Sequence, residues 1–343
     1  MRRCVGVLMV CVLLLSIGST AQATRTWVSG STGNWSDTTK WSGGAVPSDQ
    51  TAQIDVGNVT VNSSQVTPQL LMGVAAGTDT VVLNISSNLT SSKASAELFT
   101  LVKTSNAATS VTVNQSAGTV SVFQPGYPGT GETRLVSAST TLGTAIYNLS
   151  GGVLDTEVLS KGNATNNSAQ FNATGGTLVI RNMIYRFGLN SAGGGFNQGT
   201  CKLEIGAIDT VKAITVGNST NSMDYTVGTG GILNFDIASA SSYDTVLQYG
   251  NYANTAGATL QVDVLGEAPA VNSFFDVWTF NTKSSTYDNG SGAFSVLPVG
   301  WTASWVDTNA DNFKDTLRLT YTPEPATIAL LGLGLLAIRR NKK

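Results

Sequence analysis

Ser150-Gly151-Gly152-Val153-Leu154 decides the fold, because the same phrase keeps returning along the chain. Ser116-Ala117-Gly118-Thr119-Val120 precedes it. Thr174-Gly175-Gly176-Thr177-Leu178, Thr229-Gly230-Gly231-Ile232-Leu233 and Ala256-Gly257-Ala258-Thr259-Leu260 follow. The glycines supply backbone angles with φ > 0 at a tight corner. The β-branched or leucine residues after them then enter a strand that faces a core. Steps of roughly 25 to 35 residues between copies, with one double-length gap, fit the coils of a solenoid.

The segments around these corners agree. Val59-Thr60-Val61, Thr80 to Ile85, Ser110 to Val113, Thr119 to Phe123, Gly176 to Ile180 and Leu260 to Leu265 are short alternating runs rich in Val, Ile, Leu and Thr. Each is bounded by Gly, Asn or Ser, which is the signature of strands. No sustained helical period interrupts them. The expected fold is all-β, a right-handed parallel β-helix in which each coil gives two or three strands and stacked coils share one core. Trp-rich segments at 27–41 and 301–305 are the expected end covers. A β-sandwich or jelly roll uses the same short strands and glycine turns and stands as the alternative.

Both ends of the chain read as address labels. Met1-Arg2-Arg3 is a basic start, Val5 to Ile17 an apolar stretch, and Ala21-Gln22-Ala23 an A-x-A cleavage site, so a mature chain is expected from Thr24. At the other end, Pro323-Glu324-Pro325 is followed by an apolar run from Ala326 to Ile338 and then by Arg339-Arg340-Asn341-Lys342-Lys343. Prolines at a helix start, a short uncharged span and a basic terminus describe a short hydrophobic helix suited to temporary membrane retention. It is short against the roughly 20 residues a bilayer core needs. The expected division is 1–23 signal peptide, 24–320 solenoid body and 321–343 sorting or anchor segment.

Pro323, Glu324, Pro325, the apolar span and the pair Arg339 and Arg340 resemble the PEP-CTERM sorting signal of Gram-negative bacteria. That resemblance implies an exosortase as the enzyme that recognises the tripeptide and retention at the inner membrane through the tail, while the A-x-A motif makes signal peptidase, acting at Ala21 and Ala23, the other expected partner. It also implies surface or extracellular delivery in a host that makes exopolysaccharide. The body resembles the passenger-type β-helix of autotransporters and PEP-CTERM proteins in three patches. Trp27, Gly33 to Asp37, Trp41, Pro47 and Asp49 look like a first coil. The Gly-Gly-x-Leu phrases look like middle coils. Tyr243 to Leu247, Gly257 to Val264, Phe274 to Phe280, and Leu297-Pro298 with Trp301 and Trp305 look like closing coils.

Composition limits the chemistry. The chain has no histidine, which removes Ser-His-Asp and Cys-His machinery and the commonest general base. Of its 19 Lys and Arg, two lie in the leader and four in the tail, while 21 Asp and Glu lie between with Glu324 at the boundary; the body is near −8. An acidic body argues against nucleic acid as a partner. Only Cys201 remains after the leader, so no disulfide forms within the mature chain, and burial is its expected state.

Asp155 and Glu157 share one strand face, and Arg181 and Arg186 flank Tyr185. These are the nearest things to glycosidase or lyase groups, and a solvated face is the expected reading of both. Asp307, Asn309, Asp311 and Asp315 occupy positions one, three, five and nine of a calcium loop, with Asn312 at its left-handed turn. The twelfth position holds Arg318 instead of a bidentate acid, so a hairpin turn is expected. Trp35, Trp41, Trp278, Trp301 and Trp305 are candidates for stacking on sugar rings, with core or cap packing expected. Asn-x-Ser/Thr at Asn34, Asn58, Asn84, Asn88, Asn148, Asn172 and Asn218 reads as chance composition. The sequence thus points to a non-enzymatic exported structural protein without a cofactor. A carbohydrate-binding adhesin or a polysaccharide-active enzyme on the same fold is the alternative.

Overall fold

A computed structural model describes residues 23–74, 80–93, 97–103, 109–123, 131–137, 143–161, 168–185, 187, 195–218, 223–250, 252–254, 258–281, 294, 297–310 and 314–322. Three ladders of parallel strands run along the molecule, and each turn of the chain contributes one strand to each. The first face stacks Val59 on Leu83, Val113, Tyr147 and Phe171, and continues with Phe196 on Tyr225. On the second face, Thr119 pairs with Val153, then Thr177, Lys202, Ile232 and Thr259, in steps of 34, 24, 25, 30 and 27 residues. The third carries Leu70 on Phe99, Thr133, Leu159, Ile184, Val216, Gln248 and Phe280. This is a parallel β-helix. A sandwich or jelly roll is overturned, because those folds pair their strands antiparallel whereas successive coils here pair parallel. Among the described residues, eight three-sided coils run from Gly57 to Phe280.

The glycine phrase builds the corner between the first and second faces. Gly118, Gly152 and Gly176 have φ of 70°, 75° and 75°. Each sits against the backbone of the coil before it: a Cβ on Gly152 would lie 2.3 Å from the Gly118 carbonyl oxygen, and one on Gly176 would lie 2.7 Å from that of Gly152. Glycine is therefore required twice over, for its dihedral and for the close approach of two backbones. The double-length gap in the sequence repeat is filled by Gln198-Gly199-Thr200-Cys201, whose Gly199 has φ of 63° and lies against the Ala173 carbonyl.

Side chains alternate in and out of the tube. Inward, the first face holds a column of rings: Tyr147 on Phe171 at 5.5 Å and Phe171 on Phe196 at 5.7 Å are stacked, and Phe196 on Tyr225 at 5.3 Å is tilted by 36°. Such pairs add about 0.5–1.5 kcal/mol each beyond their buried area. Buried glutamines satisfy the corner carbonyls. Gln115 Nε2 donates to the Val153 carbonyl at 2.8 Å while its Oε1 accepts the Tyr147 hydroxyl at 2.6 Å. Gln198 repeats this with the Ile232 carbonyl at 2.7 Å and the Tyr225 hydroxyl at 2.9 Å. Gln248 Oε1 accepts from Trp278 Nε1 at 2.8 Å.

Outward, the same face carries an asparagine ladder. Asn84 donates to Asn58, Asn114 to Asn84, Asn148 to Asn114 and Asn172 to Asn148, at 2.8–3.0 Å. The following Ser or Thr turns the corner, its N–H donating to the coil before, as Ser86 does to Val61 and Ser150 to Gln115. The Asn-x-Ser/Thr triplets at Asn84, Asn148 and Asn172, read from sequence as chance, are thus a structural device, which Asn114 shares.

Both ends are closed. Trp27, Trp35 and Trp41 are buried together, with ring centroids 5.1 and 4.9 Å apart across Trp41, and Trp41 Nε1 donates to the Trp35 carbonyl at 2.7 Å. At the far end the pairing turns antiparallel: Thr316–Tyr321 lies between Phe274–Phe280 and Trp301–Val306. This last strand runs one residue past the expected body boundary at 320.

Gly152→Ala is expected to lower stability by about 2–4 kcal/mol, since it adds a left-handed alanine to a backbone collision. Gly44→Ala, at φ 66° with nothing within 4 Å of a Cβ, should cost only about 1–2 kcal/mol. Urea midpoints of the two variants measure the difference; equal midpoints would show that the close approach carries no weight.

Candidate functional site

Among the described residues, a group of interacting acids lies on the outer side of the second face, in the C-terminal half. Register brings it together. Glu204 pairs with Asn234 and Asn234 with Gln261, while Asp236 pairs with Asp263. Leu233, Phe235 and Ile237 point inward, so Asn234 and Asp236 are on the outside of the same strand, yet both are buried. After Ser239 the chain doubles back, and Ile237 pairs antiparallel with Tyr243. Asp244 then staples three segments: its Oδ1 accepts the Lys212 N–H and its Oδ2 the Asp236 N–H, both at 2.7 Å.

The four central acids sit in different states. Glu204 is satisfied by Lys202 Nζ at 2.8 Å and Asn234 Nδ2 at 2.9 Å. Asp263 accepts from Gln261 Nε2 at 3.2 Å. Neither oxygen of Asp236, nor Asn234 Oδ1, has a hydrogen-bond partner in good geometry. Burial pushes Asp236 up to about 6, with the charges of Glu204, Asp263 and Asp209 adding to it. Burial likewise pushes Asp244 up to about 7, outweighing the two amides that favour its charged form. Asp244 is thus about half protonated at neutral pH, while Asp236 keeps its proton only below about pH 6. Asp236 is 0% exposed and Glu204 2%, so neither touches a polymer outside. A glycosidase needs two carboxyls flanking an accessible bond.

The groups flagged from sequence fall elsewhere. Arg181 grips Asp155 with two bonds at 2.6 and 2.7 Å across neighbouring coils and lies 3.8 Å from the Phe123 ring centroid, so it braces the solenoid. Arg186 lies outside the described residues. In the 307–315 segment, Asp307 accepts the Asn309 N–H and Asp315 accepts the Thr308 N–H and hydroxyl, the pattern of a hairpin turn. Ala310 is left-handed, at φ 60°; Asp311 and Asn312 lie outside the described residues. Among the described residues no three His, Cys, Asp or Glu side chains are grouped to hold a metal. Trp35, Trp41, Trp278 and Trp301 are buried, and Trp305 packs 5.4 Å from Phe280. Cys201 is buried and its thiol is pushed up to about 12.

The chain's ends frame the body. Ala23 accepts from the Thr51 N–H and the first strand begins at Thr24; Ala21 lies outside the described residues. At the other end the Thr322 N–H donates to the Gly300 carbonyl at 2.7 Å, and the described residues end there. Pro323, Glu324, Pro325, the expected hydrophobic helix, Arg339 and Arg340 all lie outside the described residues. No helix among those described is long and apolar enough to cross a membrane. A family model for the PEP-CTERM protein-sorting motif matches residues 322–343. The chain carries a PEP-CTERM sorting motif. The match begins where the last strand ends. A PEP-CTERM motif marks an exported protein processed by an exosortase. No curated protein matches the chain.

The acid cluster sets a pH dependence. An acid whose folded pKa lies above its unfolded value of 3.8 destabilises the fold once ionised. Its penalty is absent below pH 4 and grows through pH 6 to 7. Asp236→Asn should therefore match the parent near pH 4 and exceed it by about 1–3 kcal/mol at pH 8. Thermal melts across that range decide it; a constant difference at all pH values would contradict the assignment.

Proposed function

We propose that this chain is a non-enzymatic structural protein of the cell surface or extracellular matrix, delivered through its PEP-CTERM motif and associated with exopolysaccharide. The carrying observation is the junction at Thr322. A sorting motif begins at the residue that closes a regular solenoid, so the body is the cargo and the tail its handle. The composition of the body supports the structural reading. Its buried polar side chains mostly satisfy one another and the corners, as Gln115, Gln198 and the Asp244 staple do. The most strongly perturbed acids are enclosed rather than set in a cleft.

The second reading, a carbohydrate-binding adhesin, is favoured by one feature. The asparagine ladder gives the first face a row of outward amides from Asn58 to Asn172, spaced by the repeat of the sheet at about 4.8 Å. Hydrated polysaccharide offers hydroxyls that such amides can bond.

A chain ending at Thr322 should fold, be exported and fail to be retained at the cell envelope, which fractionation and surface labelling would reveal. Localisation identical to that of the full chain would remove the role of the tail. The purified body should leave matrix polysaccharide at its original length by size-exclusion chromatography, and any depolymerisation would sink the non-enzymatic reading.

A further inference from the structure

Three of the largest exposed apolar side chains of the described body gather where the chain leaves it. Val271 is 56% exposed, Phe274 57% and Val299 83%. Their placement follows from the last strand. The Asn272 N–H donates to the Tyr321 carbonyl and the Tyr321 N–H to that of Ser273, so 271–274 run along one side of the exit. The Thr322 N–H donates to the Gly300 carbonyl, and Trp301 pairs with Tyr321, so Val299 stands on the other side. Phe274 pairs with Thr320 one step inward and turns its ring outward, beneath the Arg318 guanidinium at 4.2 Å.

Covalent geometry says how far this end can stand from whatever holds the tail. The apolar run begins at Ala326, four residues after Thr322. Four fully extended steps span at most about 14 Å. The polar zone on each side of a bilayer is about 5–8 Å thick. With the run in hydrocarbon, Pro323-Glu324-Pro325 uses up that zone, and Thr322 is left within several ångströms of the headgroup surface.

We propose that the closing end of the solenoid is a membrane-facing surface: Val271, Phe274 and Val299 rest in the lipid interface while the chain is tethered. The proposal rests on the tail being a membrane anchor. It adds that the body stands end-on to the bilayer, with its axis directed away from it. Apolar side chains among polar neighbours are the arrangement that the interface takes up. Three such residues are too few to hold an untethered body, so the tether supplies the proximity and the apolar end supplies the orientation. The first coil, with its covering Trp cluster, then projects away from the lipid.

The test uses the chain from Thr24 to Lys343, tail included and without Cys4 and Cys11, in phosphatidylcholine vesicles carrying a nitroxide quencher at the headgroup. A fluorophore is placed at Val299→Cys or, at the opposite end, at Ser64→Cys, with Cys201 buried and unlabelled. Flotation first establishes attachment. The 299 label is expected to be quenched several-fold more than the 64 label. Val271→Asp with Phe274→Asp should reduce that quenching severalfold while flotation is unchanged. Flotation with equal quenching at both positions overturns the surface and leaves the tail reading intact; failure to float overturns both. Quenching that survives the two aspartates would assign the geometry to the short tether alone and overturn the role of the apolar side chains.

Discussion

The rest of the structure depends on the contact of backbone on backbone at the glycine corner. Gly152 lies under Gly176 and over Gly118, with no room for a methyl group between them. A parallel ladder fixes the spacing of successive coils. Gly118, Gly152 and Gly176 hold three successive corners left-handed at that spacing. The in-register pairing of Thr119, Val153, Thr177 and Lys202 follows, and with it the alignment of everything inside.

Alignment turns like residues into columns. The rings of Tyr147, Phe171, Phe196 and Tyr225 stack because the ladder sets one above another. A tube closed at such tight corners leaves carbonyls facing inward, and an unpaired buried carbonyl costs about 1–3 kcal/mol. Gln115 and Gln198 answer this, each reaching a carbonyl of the next coil and accepting a tyrosine hydroxyl from it. Apolar packing and polar satisfaction therefore come from the same two positions. With one cysteine among the described residues, buried and free, the described fold rests on this repetition.

How much of this was legible depends on whether the signal is local. The corners were visible because glycine is a local requirement. The corner at Gly199-Thr200-Cys201 is hidden in the sequence, because Cys201 stands directly before the strand at Lys202, where most other copies carry glycine. The Asn-x-Ser/Thr triplets become legible when set against the glycine phrases: Asn114, Asn148 and Asn172 each stand four residues before a corner glycine, Gly118, Gly152 or Gly176. The acid cluster was not legible. Glu204, Asp236, Asp244 and Asp263 are scattered over some 60 residues, and only strand register and the turn back after Ser239 unite them. The sorting motif was legible because it is a linear signal read by an enzyme, not by the fold.

A parallel solenoid has two ends with unpaired strand edges, which invite association with other chains. The two ends are managed differently here. At the start, a turn carrying Trp27, Trp35 and Trp41 folds over the first coil. At the finish, the pairing reverses, and Thr316–Tyr321 is held on both sides by antiparallel neighbours. The tail continues directly from this strand. Tension on the tail is therefore met by two ladders loaded along their length, and by the Arg318 bridge to Asp276 at 2.7 Å that ties the strand to Phe274–Phe280. Had the chain left from an edge strand, the same pull would have opened one ladder from its end. The antiparallel closure thus serves two needs with one element: it covers the open end of the solenoid, and it gives the sorting handle a firm root.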